Sequence, residues 1–383
     1  MSIIENLKDI GILDFPIVFN SDDFKHEVNR LLNSYVIALK MYGANKSVVE
    51  RITRFKRSCM FVLSNYFRGN HYNAHNNFER ALNALDIDES PLLYSSLDEK
   101  CMFRGRINNE LDDYTDDQMF HIPLNRRTII STQRYSSPGL PCLYAGASVY
   151  TSWVEMNRPT IDSMQLVALK PTEKALEMKV VDLSHIPEKI NELSNEEWFD
   201  EDEYLLYWPL MALCSIKVRH ENDCFKPEYI FPQLYLEYIL RKKNAGSLMG
   251  IKYVSIKVSS INAKQLAEDW TTYVNYVFPA RSDSTRDTKC KFLSNCFTTT
   301  NNRSGKELYM IAETIRRDES SLKWNTACEE SLANADKRIL YTRDGSPFSY
   351  HSSLCGLIEQ ALFKNECMEE SDMNFYELLG MSE

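Results

Sequence analysis

The residues best able to do chemistry crowd into one stretch, 101–160, where polar side chains interrupt apolar runs. It reads Phe103-Arg-Gly-Arg106, then Met119-Phe-His-Ile-Pro-Leu124. Next come Thr132-Gln-Arg-Tyr-Ser-Ser-Pro-Gly-Leu-Pro-Cys-Leu-Tyr144 and Ala145-Gly-Ala-Ser-Val-Tyr-Thr-Ser-Trp-Val-Glu155. The usual catalytic signatures are absent: no glycine-rich phosphate loop, no H-E-x-x-H and no G-x-S-x-G. The seven histidines form no ligand cluster, and none of the ten cysteines has C-x-x-C spacing, so no metal site is expected. An enzyme built from this chain works with carboxylate, guanidinium and hydroxyl groups. Each candidate also has a structural reading. Arg134 and Glu155 could form an ion pair, Tyr144 could pack in a core, and Ser255 could be an ordinary strand serine. His121, in an apolar run, reads as a hydrogen-bonded core histidine, and Gln133 and Gln233 read as structural.

Taken together, these residues resemble the RES-domain family, named for its arginine, glutamate and serine. The family pattern is an early arginine, then Arg-x-Ser/Asn-x-x-Gly-x-Pro-x-Leu-Tyr, then a helix carrying a glutamate. Arg104 matches the early arginine. Arg134, Gly139, Pro141 and Tyr144 fall on the second element in order, and Glu155 follows eleven residues after Tyr144. Gly250-Ile-Lys-Tyr-Val-Ser255 is similar to the family's Gly-Ile-x-Tyr-x-Ser strand. The resemblance covers residues 98–282 and leaves 1–95 and 285–383 without a counterpart.

The resemblance implies a fold like that of ADP-ribosyltransferase toxins and an activity directed at NAD. Family members split the nicotinamide–ribose bond as glycohydrolases or phosphorylases, and many act as growth-arresting toxins. Others transfer ADP-ribose to a protein, and a third option is a non-enzymatic interaction protein on a RES-like scaffold. Breaking an N-glycosidic bond gives an oxocarbenium-like cation, so the site must supply positioning and nearby negative charge. Glu155 fits that role. The substrate pyrophosphate calls for guanidinium groups, and Arg134 and Arg104 fit, with Arg106 on the same strand face as an alternative. Tyr144 suits stacking on nicotinamide or bonding to ribose. Ser255 suits a hydrogen-bond donor, since no histidine base accompanies it. NAD enters as substrate, with no cofactor. Many family members are neutralised by a co-expressed inhibitory antitoxin, so such a partner is an expectation here too.

Those residues need elements to position them. Helical periodicity marks 20–43, with Asn20 or Ser21 as cap and Asp22 and Asp23 in the first turn, then 46–68 and 77–85. Past Pro91 the texture changes to short strands at 101–107, 127–135 and 140–145, a helix over 148–156, and strands at 163–170 and 178–183. A buried helix is predicted over 204–220, an amphipathic one over 228–242, and strands at 250–258 and 274–279. Helices at 310–318 and 355–363 close the chain. Strands and helices mix without regular βαβ alternation. The expected class is α+β, with a mixed, mostly antiparallel sheet and an N-terminal helical unit. The division read from this is 1–95, 96–283 as the catalytic domain, and 284–383.

Composition sets outer limits. The 383 residues are 44% apolar and 26% charged, with a formal net charge of −10. An acidic chain repels nucleic acid unless it concentrates a basic patch, and the basic run 51–57 spreads around a helix rather than along one stripe. No stretch approaches the roughly 18 apolar residues of a membrane span, and charges interrupt the N-terminus too early for a signal peptide. A cytoplasmic location with reduced, buried cysteines is expected. The helical 1–95 unit could serve as a homo-oligomerisation module, an inhibitory lid or a sensor. The acidic stretch 191–203, with seven carboxylates, and both extensions set this chain apart from compact family members.

Overall fold

A computed structural model describes residues 2–97, 100–108, 113–187, 190–242, 245–257, 273–318 and 354–363. In chain order the main elements are α1 (Phe24–Met41), α2 (Lys46–Phe67), α3 (His71–Leu85), β1 (Tyr94–Ser96), β2 (Met102–Ile107), β3 (Cys142–Gly146), α4 (Val149–Glu155), β4 (Met164–Pro171) and β5 (Lys179–Leu183). Then follow α5 (Glu201–Cys214), α6 (Ile230–Arg241), β6 (Leu248–Val254), β7 (Val274–Pro279), β8 (Phe297–Thr299), β9 (Arg303–Ser304), α7 (Gly305–Asp318) and α8 (Leu354–Phe363). The fold is α+β, its strands mostly antiparallel, with β5 and β6 a parallel pair. The chain forms two compact units, each gathered from three separated stretches.

The first unit comprises 1–96, 128–140 and 178–268. Asp23 caps α1 by accepting from the His26 N–H at 2.9 Å, so the cap lies two or three residues later than the expected Asn20 or Ser21. A carboxylate there meets the positive end of the helix as well as an orphan N–H, an advantage over Asn or Ser. Val28, Leu32, Tyr35 and Leu39 of α1 are buried, as are Ile52, Phe55, Cys59 and Val62 of α2. Tyr35 lies 4.4 Å, centroid to centroid, from Trp208 and donates its hydroxyl to the Leu205 carbonyl at 2.9 Å. Every residue of α5 from Tyr204 to Cys214 is buried, as a helix apolar on all sides must be. β1 and β6 flank β5. The alternation expected over 250–258 forms β6 as far as Val254, and Val258 lies outside the described residues.

One expected strand is absent. Residues 124–129 form a 3-10 turn, and no strand covers 130–135. The run Thr128-Ile-Ile-Ser-Thr132 has β propensity, but Pro138 and Pro141 cannot donate to a ladder and Gly139 takes φ +83°. Side chains hold this stretch instead. The Gln233 amide donates to Thr132 Oγ1 at 2.9 Å, the Gln133 carbonyl at 2.8 Å and the Ser136 carbonyl at 3.2 Å.

The second unit comprises 97–127, 141–177 and 269–383, of which 319–353 and 364–383 lie outside the described residues. Its strands run in the order β7-β3-β2-β4-β8, with β9 also on β4. Helix α4 lies against β2 and β3, and α8 against α4 and β4. Ser148 caps α4 by accepting from the Thr151 N–H at 3.0 Å, and the Glu359 carboxylate of α8 accepts from the Val149 N–H at 2.7 Å. Gly105 and Gly146 let the helix approach. A Cβ on Gly146 would lie 2.8 Å from Ser152 Oγ and 3.0 Å from the Ser148 carbonyl, and one on Gly105 would collide with Met156.

Candidate functional site

Arg104, Arg106, Tyr144 and Glu155 all fall in the second unit, whereas Arg134 and Ser255 fall in the first.

In the second unit β2 runs antiparallel to β4, with Arg104 opposite Val167 and Arg106 opposite Gln165. It meets β3 at the Phe103–Gly146 pair. One residue on from that pair, the Arg104 guanidinium donates from Nη1 to the Tyr144 carbonyl at 2.8 Å and from Nε to the Met119 carbonyl at 2.9 Å. Arg106 donates from Nη1 to the Gln118 carbonyl at 2.6 Å, and its guanidinium lies 4.2 Å from the centre of the Tyr114 ring. Among the described residues no carboxylate pairs with either arginine. Burial, reinforced by the neighbouring Arg106 cation, pushes the Arg104 guanidinium down to about 10. It therefore stays charged at neutral pH. Two cations two residues apart on one strand, held by neutral carbonyls, are a candidate site for an anion.

Glu155 ends α4, where the helix presents the negative end of its dipole and a basic residue would be more stable. Asn275 of β7 offsets this by donating Nδ2 to Glu155 Oε1 at 2.7 Å. Asn275 pairs in register with Gly146 of β3, so the carboxylate is tied to the strand that carries Tyr144. Immediately beyond, Asn157 and Arg158 take φ +64° and +56°, a left-handed turn of two non-glycine residues. Such a conformation is costly and concentrates at functional positions. Tyr144 is half-buried on β3 opposite Val277. Gly105 turns toward α4, so the pleat sends Arg104 and Arg106 to the other side of β2, away from the helix that carries Glu155.

In the first unit Arg134 is 8% exposed, and its guanidinium is committed to backbone. Nη1 donates to the Cys214 and Ile216 carbonyls and Nη2 to the Ile216 carbonyl, each at 3.1 Å. Its guanidinium carbon stands 5.3 Å from the Tyr229 ring centre. Ser255 is buried just past β6, where its hydroxyl accepts from the Lys257 N–H at 3.3 Å.

His121 is the core histidine expected. Nδ1 donates to the Ile122 carbonyl at 2.7 Å, and Nε2 accepts from the Cys290 N–H at 2.8 Å, which fixes a neutral ring. Burial depresses its pKa. Asn275 has no counterpart in the sequence reading. A lone asparagine in the apolar run Val274–Pro279 is the one signal that could have marked it.

The chain is 29% identical over 286 residues to the protein named Putative toxin YopC of Bacillus subtilis (strain 168). The match takes in 70% of this chain and 63% of that protein, so the chain spans less than two thirds of its relative's length. No family model matches the chain, and no solved structure matches it. Among the described residues, no helix is long and apolar enough to cross a membrane.

Proposed function

We propose that this chain is a toxin of the RES type that depletes NAD by cleaving its nicotinamide–ribose bond. The observation that carries the reading is the Arg104–Arg106 pair: two guanidinium groups on one strand that no carboxylate among the described residues neutralises. A pyrophosphate brings two negative charges and suits bidentate donors. Arg104 spends two of its five N–H donors on carbonyls, which leaves three for phosphate oxygens.

In this reading Glu155 faces the reacting ribose. As the C1′–N bond breaks, nicotinamide departs as a neutral molecule and positive charge builds on the ribose, stabilised by the carboxylate. A water oxygen then bonds to C1′ and loses its proton, giving ADP-ribose. Asn275 holds the carboxylate in place, which is the positioning such catalysis needs. Tyr144, on the strand that pairs with β7 and so with Asn275, suits stacking on the nicotinamide. Arg134, with three contacts to the Cys214 and Ile216 carbonyls, braces the 214–216 turn in this reading. The toxin character draws on the relative's name. An inhibitory partner protein and a cytoplasmic site of action belong to the same reading.

The test is to incubate the purified chain with NAD and follow nicotinamide and ADP-ribose. Release of both supports hydrolysis, ADP-ribose 1″-phosphate formed only with phosphate supports phosphorolysis, and label on protein supports transfer. Glu155→Gln should keep NAD binding within about threefold while kcat falls at least about a hundredfold. Full activity in that variant, or no NAD turnover by the wild type, would overturn the reading.

A further inference from the structure

We propose that a cavity in the first unit binds a guanidinium cation on an apolar stem, with Glu228 as its counter-charge and Phe67 and Phe225 as its walls. This site is independent of the NAD reading and would survive its failure.

The cavity measures about 470 Å³, the size of a small-molecule site, and every residue that lines it belongs to the first unit. It lies among the 19–25 segment that leads into α1, Phe67 at the end of α2, and the 219–228 loop that leads to α6. Phe19 and Phe24 are buried walls, while Phe67 and Phe225 are about half exposed. Tyr66 and Phe67 hold Phe225, their ring centres 6.3 Å and 6.5 Å from its own.

The charge of the lining is unbalanced. Asp22, Asp23, Asp223 and Glu228 stand against Lys25 and Arg219, and both cations are already engaged. Arg219 Nε meets Asp22 Oδ1 at 2.7 Å, its Nη1 donates to the Phe19 carbonyl at 3.3 Å, and Lys25 donates to Ser64 Oγ at 2.6 Å. Glu228 is left over. It is 5% exposed, and one of its oxygens accepts from the Arg219 N–H at 3.1 Å. The other has no partner among the described residues, and no cation there pairs with the carboxylate. Glu27 and Asp182, buried to a similar degree, each meet one: Arg30 at 2.6 Å and Lys252 at 2.9 Å. The dipole of α6, which starts two residues on, favours negative charge at Glu228 but gives the open oxygen no donor. Burying a carboxylate is costly unless it is paired, so one that lines a cavity points to a cation that enters it.

The walls select the kind of cation. Among the described residues no three acidic, histidine or cysteine side chains are grouped to hold a metal ion, and phenyl rings supply none of the oxygens a hard cation needs. A guanidinium is weakly hydrated, stacks flat on an aromatic face and donates along its edge to a carboxylate. Its source is either a free small molecule or an arginine side chain of another protein.

Titration calorimetry of the full chain with butylguanidinium should saturate with a Kd of about 1 mM or tighter. Butylurea has nearly the same shape without the charge and should bind at least about tenfold more weakly. Glu228→Gln keeps an acceptor for the Arg219 N–H and removes the charge, so it should fold and lose at least about tenfold in butylguanidinium affinity. Phe225→Ala, at a half-exposed position, should lose about three- to tenfold. N-acetyl-arginine methylamide separates the two sources. Binding tighter than butylguanidinium assigns the site to an arginine of a partner protein, and weaker binding assigns it to a free small molecule. No saturation by butylguanidinium below about 10 mM, equal binding of butylurea, or unchanged affinity in folded Glu228→Gln overturns the proposal and means that water alone fills the cavity.

Discussion

Replacing Arg134 with methionine separates a brace from a phosphate clamp. The side chain makes three contacts of 3.1 Å with two carbonyls, those of Cys214 and Ile216, both on residues at most 1% exposed. Methionine approximates the stem but offers no donor, and both carbonyls lose a charged partner. A buried polar group left unmade costs about 1–3 kcal/mol. Two carbonyls, partly rescued by water, give an expected loss of about 2–4 kcal/mol, a large part of a typical stability of about 5–15 kcal/mol. Arg134→Lys should recover roughly half, because an ammonium is a point donor and the fork is lost. Trp208, buried in the same unit, supplies the fluorescence signal for urea unfolding. ADP titration of the folded variant should stay within about twofold of wild type, while Arg104→Met weakens ADP binding by at least about tenfold. A methionine variant within about 0.5 kcal/mol of wild-type stability that no longer binds ADP would refute the assignment and restore Arg134 to the clamp.

Two further changes probe the frame and its titration. Gly146→Ala sets a methyl group against the Ser148 carbonyl and Ser152, backbone that cannot swing aside. It should destabilise by about 1–3 kcal/mol and lower kcat by shifting α4 and Glu155, as thermal melts and nicotinamide release would show; an unchanged kcat counts against α4 as the carrier of the catalytic charge. Burial lowers the pKa of both His121 and His185, so between those values and about 6.5 the unfolded chain binds the extra protons. Their stability contribution is complete above pH about 6.5 and is lost as pH falls, by up to about 1.4 kcal/mol per pH unit for each ring. Urea midpoints from pH 7.5 to 5.5 should fall, and His121→Gln should flatten the slope. A slope of the opposite sign would contradict the neutral ring seen between Ile122 and Cys290.

Much of the fold is legible in the sequence because local forces set it. The α4 start follows from the Ser148 cap, and Val274–Pro279 forms the strand that its apolar run predicts. α5 is recognisable because an apolar helix with no polar face must be buried, although it starts at Glu201 and ends at Cys214. What escapes is non-local. The stretch 127–135 carries strand propensity, yet its conformation is set by Gln233, roughly a hundred residues away, and by Pro138 and Pro141. Arg134 looks the same in a motif whether it meets phosphate or the Cys214 carbonyl, because sequence shows the donor and not what it faces. The Glu155–Asn275 pair spans 120 positions and exists only because β3 and β7 pair in register.

The arginine pair bears on function through its cost. Neighbouring same-face residues on a strand stand about 6.5–7 Å apart, and at an effective dielectric of about 20 two unit charges at that spacing repel by about 2–3 kcal/mol. The chain carries 54 acidic residues against 44 basic ones, so carboxylates to neutralise the pair are plentiful. Elsewhere the fold uses them that way: Asp182 meets Lys252 at 2.9 Å, Asp22 meets Arg219 at 2.7 Å, and Asp88 meets Lys242 at 2.6 Å. On β2, among the described residues, Arg104 and Arg106 meet backbone carbonyls instead, which orient the guanidinium groups without cancelling their charge. A fold that needed these arginines only for packing would gain stability from a carboxylate beside them. Leaving the charge open is reasonable where an anionic ligand supplies the missing counter-charge, and a bound pyrophosphate would turn the repulsion into attraction. Arg106→Leu should therefore raise the stability of the ligand-free chain slightly while weakening ADP binding. A variant that loses stability and keeps its ADP affinity would mean that the pair serves the fold alone.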